Sequence, residues 1–384
     1  MEIAKSLQQI QSSYIREILD AASDPNVISL AGGLPDADTF PISLMKDTLT
    51  GLADTPEVFQ YSNTAGYTPL LNYLTDYFEL ADSQQVMVTT GSQQGLDLIA
   101  RAFINPGDKV VMEAPSYLGA MQVFGLVQAD IITVPQNESG PDLDKLESCF
   151  AAEKPKLFYT VPDFHNPTGV CWSLEVRQQV AELCKKYNVA LVEDAPYRDL
   201  RFTGKALPLV SSFCPEHSIV LRSFSKIASP GLRMGVVTGK AAYLEPMIKV
   251  KQGADLHSSV PMQALLLGLL KNKDFPQHIE TIRALYKARC QKLIDELTTH
   301  LPQECGVNSV EGGMFIWVTI PECDTFDLAK ALLAKGVAVV PSDVFYPASA
   351  DKQAALRLNF SNATESELEV AVDRLAKVLK TYFR

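Results

Sequence analysis

A chain of 384 residues, 47% of them hydrophobic, carries enough apolar material for a large buried core and enough length for two or three domains. Its net charge of −11, from 34 basic and 45 acidic residues, argues against a nucleic-acid surface. No apolar run approaches the roughly 20 residues of a membrane span, Met1 to Lys5 lacks the layout of a secretion signal, and a cytoplasmic protein is expected.

The predicted elements begin with a helix over residues 1–24, whose Ile10, Tyr14, Ile15, Ile18 and Leu19 share one face, followed by the turn-rich Ala31-Gly-Gly-Leu-Pro35. Seven β-branched runs then alternate with helical stretches, over 86–90, 109–113, 131–134, 156–161, 189–193, 218–221 and 234–238. This pattern predicts an α/β fold with a seven-stranded, mostly parallel sheet covered by helices on both faces. A long amphipathic helix over 275–301 leads into a second, smaller α/β domain with strands over 315–320, 337–340 and 356–360 and a closing helix over 365–383. Seven cysteines without C-x-x-C spacing read as thiols of a reducing compartment. Five dispersed histidines, with no H-x-x-x-H pair, give a metal site no support.

Ligands of open parallel sheets bind at the carboxyl ends of strands, so the residues just after each run form one candidate set. After the first run, Gly91-Ser-Gln-Gln-Gly95 offers either an anion seat at a helix start or an ordinary turn capped by Ser92. After the second, Tyr117 is a ring for stacking on a flat ligand or a core tyrosine. Asn166, in Phe164-His-Asn-Pro-Thr-Gly169, is explicable by turn chemistry alone. Asp194, in Glu193-Asp-Ala-Pro-Tyr197, reads as a helix cap or as a carboxylate for a buried cation, with Tyr197 in reach of the same ligand. Finally, Ser223-Phe-Ser-Lys226 with Arg233 places an amine beside hydroxyls and a cation, the arrangement of a Schiff-base enzyme. Each group has an ordinary structural explanation, but together they meet the needs of one cofactor.

On this set the chain resembles the fold type I, class I aminotransferases that use pyridoxal 5′-phosphate, and among them the 2-aminoadipate and kynurenine aminotransferase group, to which broad-specificity aromatic aminotransferases are similar. The resemblance runs from Ser29-Leu-Ala-Gly-Gly-Leu-Pro35 through Gln60-Tyr-Ser62, Gly91-Ser-Gln-Gln94, Asn166-Pro-Thr-Gly169, Asp194-Ala-Pro-Tyr197 and Ser223-Phe-Ser-Lys226 to Arg357. It implies that Lys226 forms the Schiff base and shuttles the α-proton, that Asp194 pairs with the ring nitrogen, and that Asn166 and Tyr197 bond the ring's phenolic oxygen. It places Tyr117 on the ring face, and Ser92, Gln93, Ser223, Ser225 and Arg233 around the phosphate, joined by Tyr61 of a neighbouring subunit in a homodimer. Arg357 would clamp the substrate carboxylate beside Asn166, with Gly33 in the covering loop and Arg16 meeting the substrate's distal end. His165, where relatives often carry glutamine, reads as a pocket-wall residue.

The resemblance divides the chain into residues 1–45 (N-terminal helix and substrate-covering loop, packing with the small domain), 46–284 (large cofactor domain) and 285–384 (small domain). Two rival readings are a β-lyase using the same cofactor and a non-catalytic regulatory module. The first would release ammonia with no oxo-acid acceptor. The second would carry a winged-helix domain in front, whereas only about 85 residues precede Val86. A nicotinamide dehydrogenase is disfavoured because residues 91–95 lack the G-x-G-x-x-G spacing.

Overall fold

The computed structural model describes residues 2–8, 18, 24–321 and 323–382. Of the helix expected over 1–24, Lys5–Gln8 is helical, and most of the rest, Arg16 included, lies outside the described residues. A two-residue strand, β1 (Ile28–Ser29), comes first. Then β2 (Gln84–Thr89), β3 (Lys109–Ala114), β4 (Asp130–Asn137), β5 (Gly140–Pro141), β6 (Leu157–Thr160), β7 (Ala190–Asp194), β8 (Ser218–Ser223) and β9 (Gly235–Lys240) form one sheet, ordered β2-β9-β8-β7-β6-β3-β4-β5.

All seven expected strands are present, and the sheet has eight. The additional strand is β5, two residues folded back against β4, too short to show any alternation in the sequence. The run from β8 through β7, β6 and β3 to β4 is parallel, whereas β9 is antiparallel to both β8 and β2. The carboxyl ends of β2, β3, β6, β7 and β8 therefore share one edge of the sheet with the start of β9.

Side-chain alternation splits the interior into two cores. Val110, Met112, Tyr159 and Val192 face the helices Ser92–Phe103, Leu118–Leu126, Ala241–Ala254 and Val260–Lys271, through Leu96, Ile99, Phe124, Met247 and Leu266. Their strand neighbours Val111, Phe158 and Leu191 face the helices Leu143–Glu153 and Leu174–Tyr187, through Phe150, Val176, Val180 and Cys184. Strands buried on both faces read as continuous apolar runs, which is why they were legible.

A second, four-stranded antiparallel sheet joins β10 (Gly306–Val307), β11 (Phe315–Thr319), β13 (Val340–Pro341) and β14 (Ala355–Asn359) in the order β10-β11-β14-β13. The strand expected over 337–340 is divided, because β12 (Val337–Ala338) pairs instead with β1. The helix Phe275–His300 packs beside the closing helix Glu365–Leu379, which starts at a capping box between Thr364 and Glu367. The 31–35 loop follows β1 and is anchored at the end of β14: Asn359 N donates to Leu30 O at 2.8 Å and Ser361 Oγ to Leu34 O at 2.8 Å. Among the described residues no helix is long and apolar enough to cross a membrane, and no cluster of acidic, histidine and cysteine side chains is placed to hold a metal ion.

Candidate active site

Two adjoining clefts open at the shared strand edge. The first has a cavity volume of about 160 Å³ and is lined by Gly91, Ser92, Gln93, Tyr117, Asn166, Asp194, Tyr197, Ser223, Ser225, Lys226 and Arg233, with Tyr159 among the remaining wall residues. The second contains Gly33, Phe315 and Arg357 and shares Gln93, Tyr117, Asn166, Tyr197 and Lys226 with the first. Lys226 thus stands where the two meet.

Each wall follows from its strand. Beyond β2 the chain turns at Gly91 (φ 76°), and the helix begins at Ser92, which is its first residue and not its cap. A Cβ on Gly91 would lie 2.7 Å from Arg233 Nη2, so glycine lets the guanidinium close against the turn. Tyr117, beyond β3, donates from its hydroxyl to Gln93 Oε1 at 3.1 Å.

At the end of β7 the two-residue period separates a pair of acids. Glu193 accepts from the backbone N–H groups of Val210 and Ser211 at 2.9 and 2.8 Å and so anchors a short helical turn. Asp194 faces the cleft and is 3% exposed. Its Oδ2 accepts from the Tyr159 hydroxyl at 3.0 Å, while its buried Oδ1 has no hydrogen-bond partner. Burial lifts its pKa to about 7.

Ser223 ends β8, and its Oγ accepts from Ser225 N at 3.3 Å, fixing the short turn Phe224–Lys226. Lys226 Nζ donates to Gly33 O at 2.7 Å. Burial, with the nearby Arg357 and Arg233 charges, brings its pKa down to about 8.

Arg357, on β14, is 4% exposed and lies over the rings of Phe315 and Phe345, 4.4 and 5.0 Å from their centroids. It donates through Nη1 to Asn166 Oδ1 at 2.9 Å and through Nη2 to Ala31 O, while its buried Nε has no partner. Burial lowers its pKa to about 10, still well above neutrality, so the charge stays. Tyr197 lines both clefts beside Asn166, and burial raises its pKa. Gly33 sits so near Phe315 that a Cβ would lie 3.0 Å from the ring.

Of the expected site residues, Tyr61 lines neither cleft. It is 79% exposed, with its ring edge-on to His257 at 5.9 Å. Arg16 lies outside the described residues. His165 is not a pocket wall: the 165–170 turn closes through His165 N to Val170 O and tucks the ring inward. There Nδ1 pairs with Thr168 Oγ1 at 3.1 Å, and burial keeps the imidazole neutral, with a pKa of about 3. Sequence reading missed Tyr159 and Phe315. Only the register Tyr159 to Val192, a property of the folded sheet, puts Tyr159 on the Asp194 face.

The unpartnered Asp194 Oδ1 suits a protonated ring nitrogen, and the turn at Gly91 with Arg233 suits a phosphate. Fold and site together define an α/β enzyme of the pyridoxal-phosphate, fold type I class. The aminotransferase class I and II family matches residues 25–375, and the chain belongs to that family. It is 36% identical to a 2-aminoadipate transaminase of Thermus thermophilus (98% of this chain, 96% of that one) and 34% identical to aromatic-amino-acid aminotransferase 1 of Thermococcus litoralis (97% and 92%). A crystal structure of an α-aminoadipate aminotransferase from Thermus thermophilus, complexed with N-(5′-phosphopyridoxyl)-L-leucine, superposes with a TM-score of 0.92 at 35% identity, covering 99% of this chain and 98% of that one. The protein is a transaminase, and pyridoxal phosphate is its cofactor.

Proposed function

We propose that this enzyme moves the amino group of an L-amino acid, from an aromatic, 2-aminoadipate-like or other broad set, to a 2-oxo acid such as 2-oxoglutarate, in ping-pong fashion. The observation that carries the reading is Lys226 at the junction of two clefts, one ending in the open oxygen of Asp194 and the other in Arg357. When bound, pyridoxal phosphate supplies the electron sink for a carbanion at the substrate Cα. Lys226 would hold the cofactor through its aldehyde, and its amine, with a pKa brought down to about 8, would move the α-proton. Asp194 keeps a proton on the ring nitrogen. Asn166 Oδ1 is taken by Arg357, which leaves its amide N–H groups for the phenolic oxygen, beside Tyr197. Tyr117 covers the ring, and Ser92, Gln93, Ser223, Ser225 and Arg233 hold the phosphate. The Arg357 fork, propped by Phe315, takes the substrate carboxylate beneath Gly33.

The exposure of Tyr61 supports a homodimer in which it reaches the neighbour's phosphate. Pairing of β1 with β12 supports grouping residues 1–45 with the small domain 285–384, apart from 46–284; the two boundaries fall within the helices Ile42–Leu52 and Phe275–His300. We place the protein in the cytoplasm and assign Arg16 to the distal end of the substrate.

A panel of amino donors assayed against 2-oxoglutarate tests the reading, with parallel double-reciprocal lines expected for good donors. Intersecting lines for every pair, or ammonia released steadily with no acceptor, would replace it with a sequential or a lyase mechanism. The Lys226 pKa adds a second expectation. Only the neutral amine captures the aldehyde, and it is protonated below about pH 8 and free above it. Cofactor capture by the apoenzyme, followed by absorbance, should accelerate roughly tenfold from pH 7 to 9 and then level off. A rate still climbing through pH 10 would place Lys226 in an ordinary solvated setting.

A further inference from the structure

Lys251, in the helix Ala241–Ala254, lines neither cleft, yet its side chain is fully buried. Its Nζ donates to Gln94 Oε1 at 3.0 Å, to Ser258 Oγ at 3.0 Å and to both oxygens of Asp255 at 2.9 and 2.8 Å. Gln94 belongs to the first turn of the helix that starts at Ser92. Its Oε1 also accepts from Thr90 N at 2.8 Å, and its Nε2 donates to Asp255 Oδ2 at 2.6 Å. Thr90 meets Ser258 through their hydroxyls at 3.3 Å, and its carbonyl accepts from Arg233 Nη2 at 3.4 Å. The turn 90–94 is therefore tied from behind by one buried ammonium, while its Gly91, Ser92 and Gln93 face the first cleft.

We infer that Lys251 is a positioning residue for phosphate recognition: acting through Gln94, it fixes the 90–94 turn in the geometry that receives the cofactor's phosphate. The inference rests on the reading that this turn holds the phosphate. A buried charge is retained at a desolvation cost, and without Lys251 the Asp255 carboxylate and Gln94 Oε1 lose their shared donor. Gln94 then keeps only Thr90 N on its oxygen and, on its amide, an Asp255 carboxylate that has lost its own cation, and the turn is free to shift away from a phosphate-binding arrangement. The ring's own partners, Asp194 and Lys226, sit on β7 and the turn after β8, outside this network.

The test compares apo forms of the full-length wild type and Lys251→Met, titrated with pyridoxal phosphate and with pyridoxal, which lacks the phosphate. In Lys251→Met the Kd for pyridoxal phosphate should rise at least about tenfold, while that for pyridoxal stays within about twofold. Inorganic phosphate should also compete less well than in wild type. Equal weakening of both ligands would assign Lys251 a purely structural role and overturn the inference, as would no change in either. Should Lys251→Met not fold, Gln94→Ala, which leaves Lys251 paired with Asp255, is expected to give the same phosphate-selective loss, and an unselective result there overturns the inference equally. A wild type that binds pyridoxal and its phosphate alike would instead sink the phosphate-cradle reading itself.

Discussion

Replacing Lys226 with alanine is expected to lower kcat by on the order of 10⁴-fold, since in the proposed mechanism one side chain would both hold the aldehyde and move the α-proton. Lys226 is the amine at the meeting of the two clefts, held by Gly33 O at 2.7 Å and tuned by burial to a pKa of about 8. Asp194 on β7 and the Ser92–Gln93 helix start beyond β2 belong to other elements, and Ser223 and Ser225 keep their own side chains, so the variant should still bind pyridoxal phosphate. Stopped-time assays with a good donor, together with equilibrium dialysis of the cofactor, separate the two effects. Turnover within about tenfold of wild type would mean that another group moves the proton.

The second large effect is expected at Asp194. Its Oδ1 is buried and unpartnered, so the carboxylate is costly to the apo fold unless a cation arrives. In Asp194→Asn the amide keeps the shape and the Tyr159 contact but cannot hold a positive ring nitrogen. Loss of one preorganised charge in a buried site predicts a fall in kcat on the order of 10²–10³-fold. Asp194→Glu retains the charge and should lose less. Equal losses in the two variants would point to packing as the cause. Asn retaining full activity would remove Asp194 from the chemistry.

Much of this was legible in the sequence because strands buried on both faces leave continuous β-branched runs, and because ligand-facing groups follow those runs directly. What escaped had physical causes. Gly140–Pro141 is too short to show periodicity, and the antiparallel direction of β9 depends on a connection the residues do not specify. The break at Val339 arises because Val337 and Val340 satisfy different sheets. His165, at a position where relatives often carry glutamine, reads in sequence as a wall residue, yet the turn that presents Asn166 buries it. Tyr159, Phe315 and Lys251 resemble core or surface residues along the chain; only cross-strand register and helix packing bring the first two to the site and the third behind the 90–94 turn. Tyr61, implied by resemblance to reach a neighbouring subunit's phosphate, is exposed and lines neither cleft.

The most direct measurement mixes purified enzyme, saturated with pyridoxal phosphate, with excess of a good amino donor and no oxo-acid acceptor, and counts the products. The account predicts one 2-oxo acid released per active site, a single shift in cofactor absorbance and no free ammonia, with turnover resuming only when 2-oxoglutarate is added. Continuous release of oxo acid and ammonia in the absence of acceptor, or no oxo acid from any donor, would contradict it.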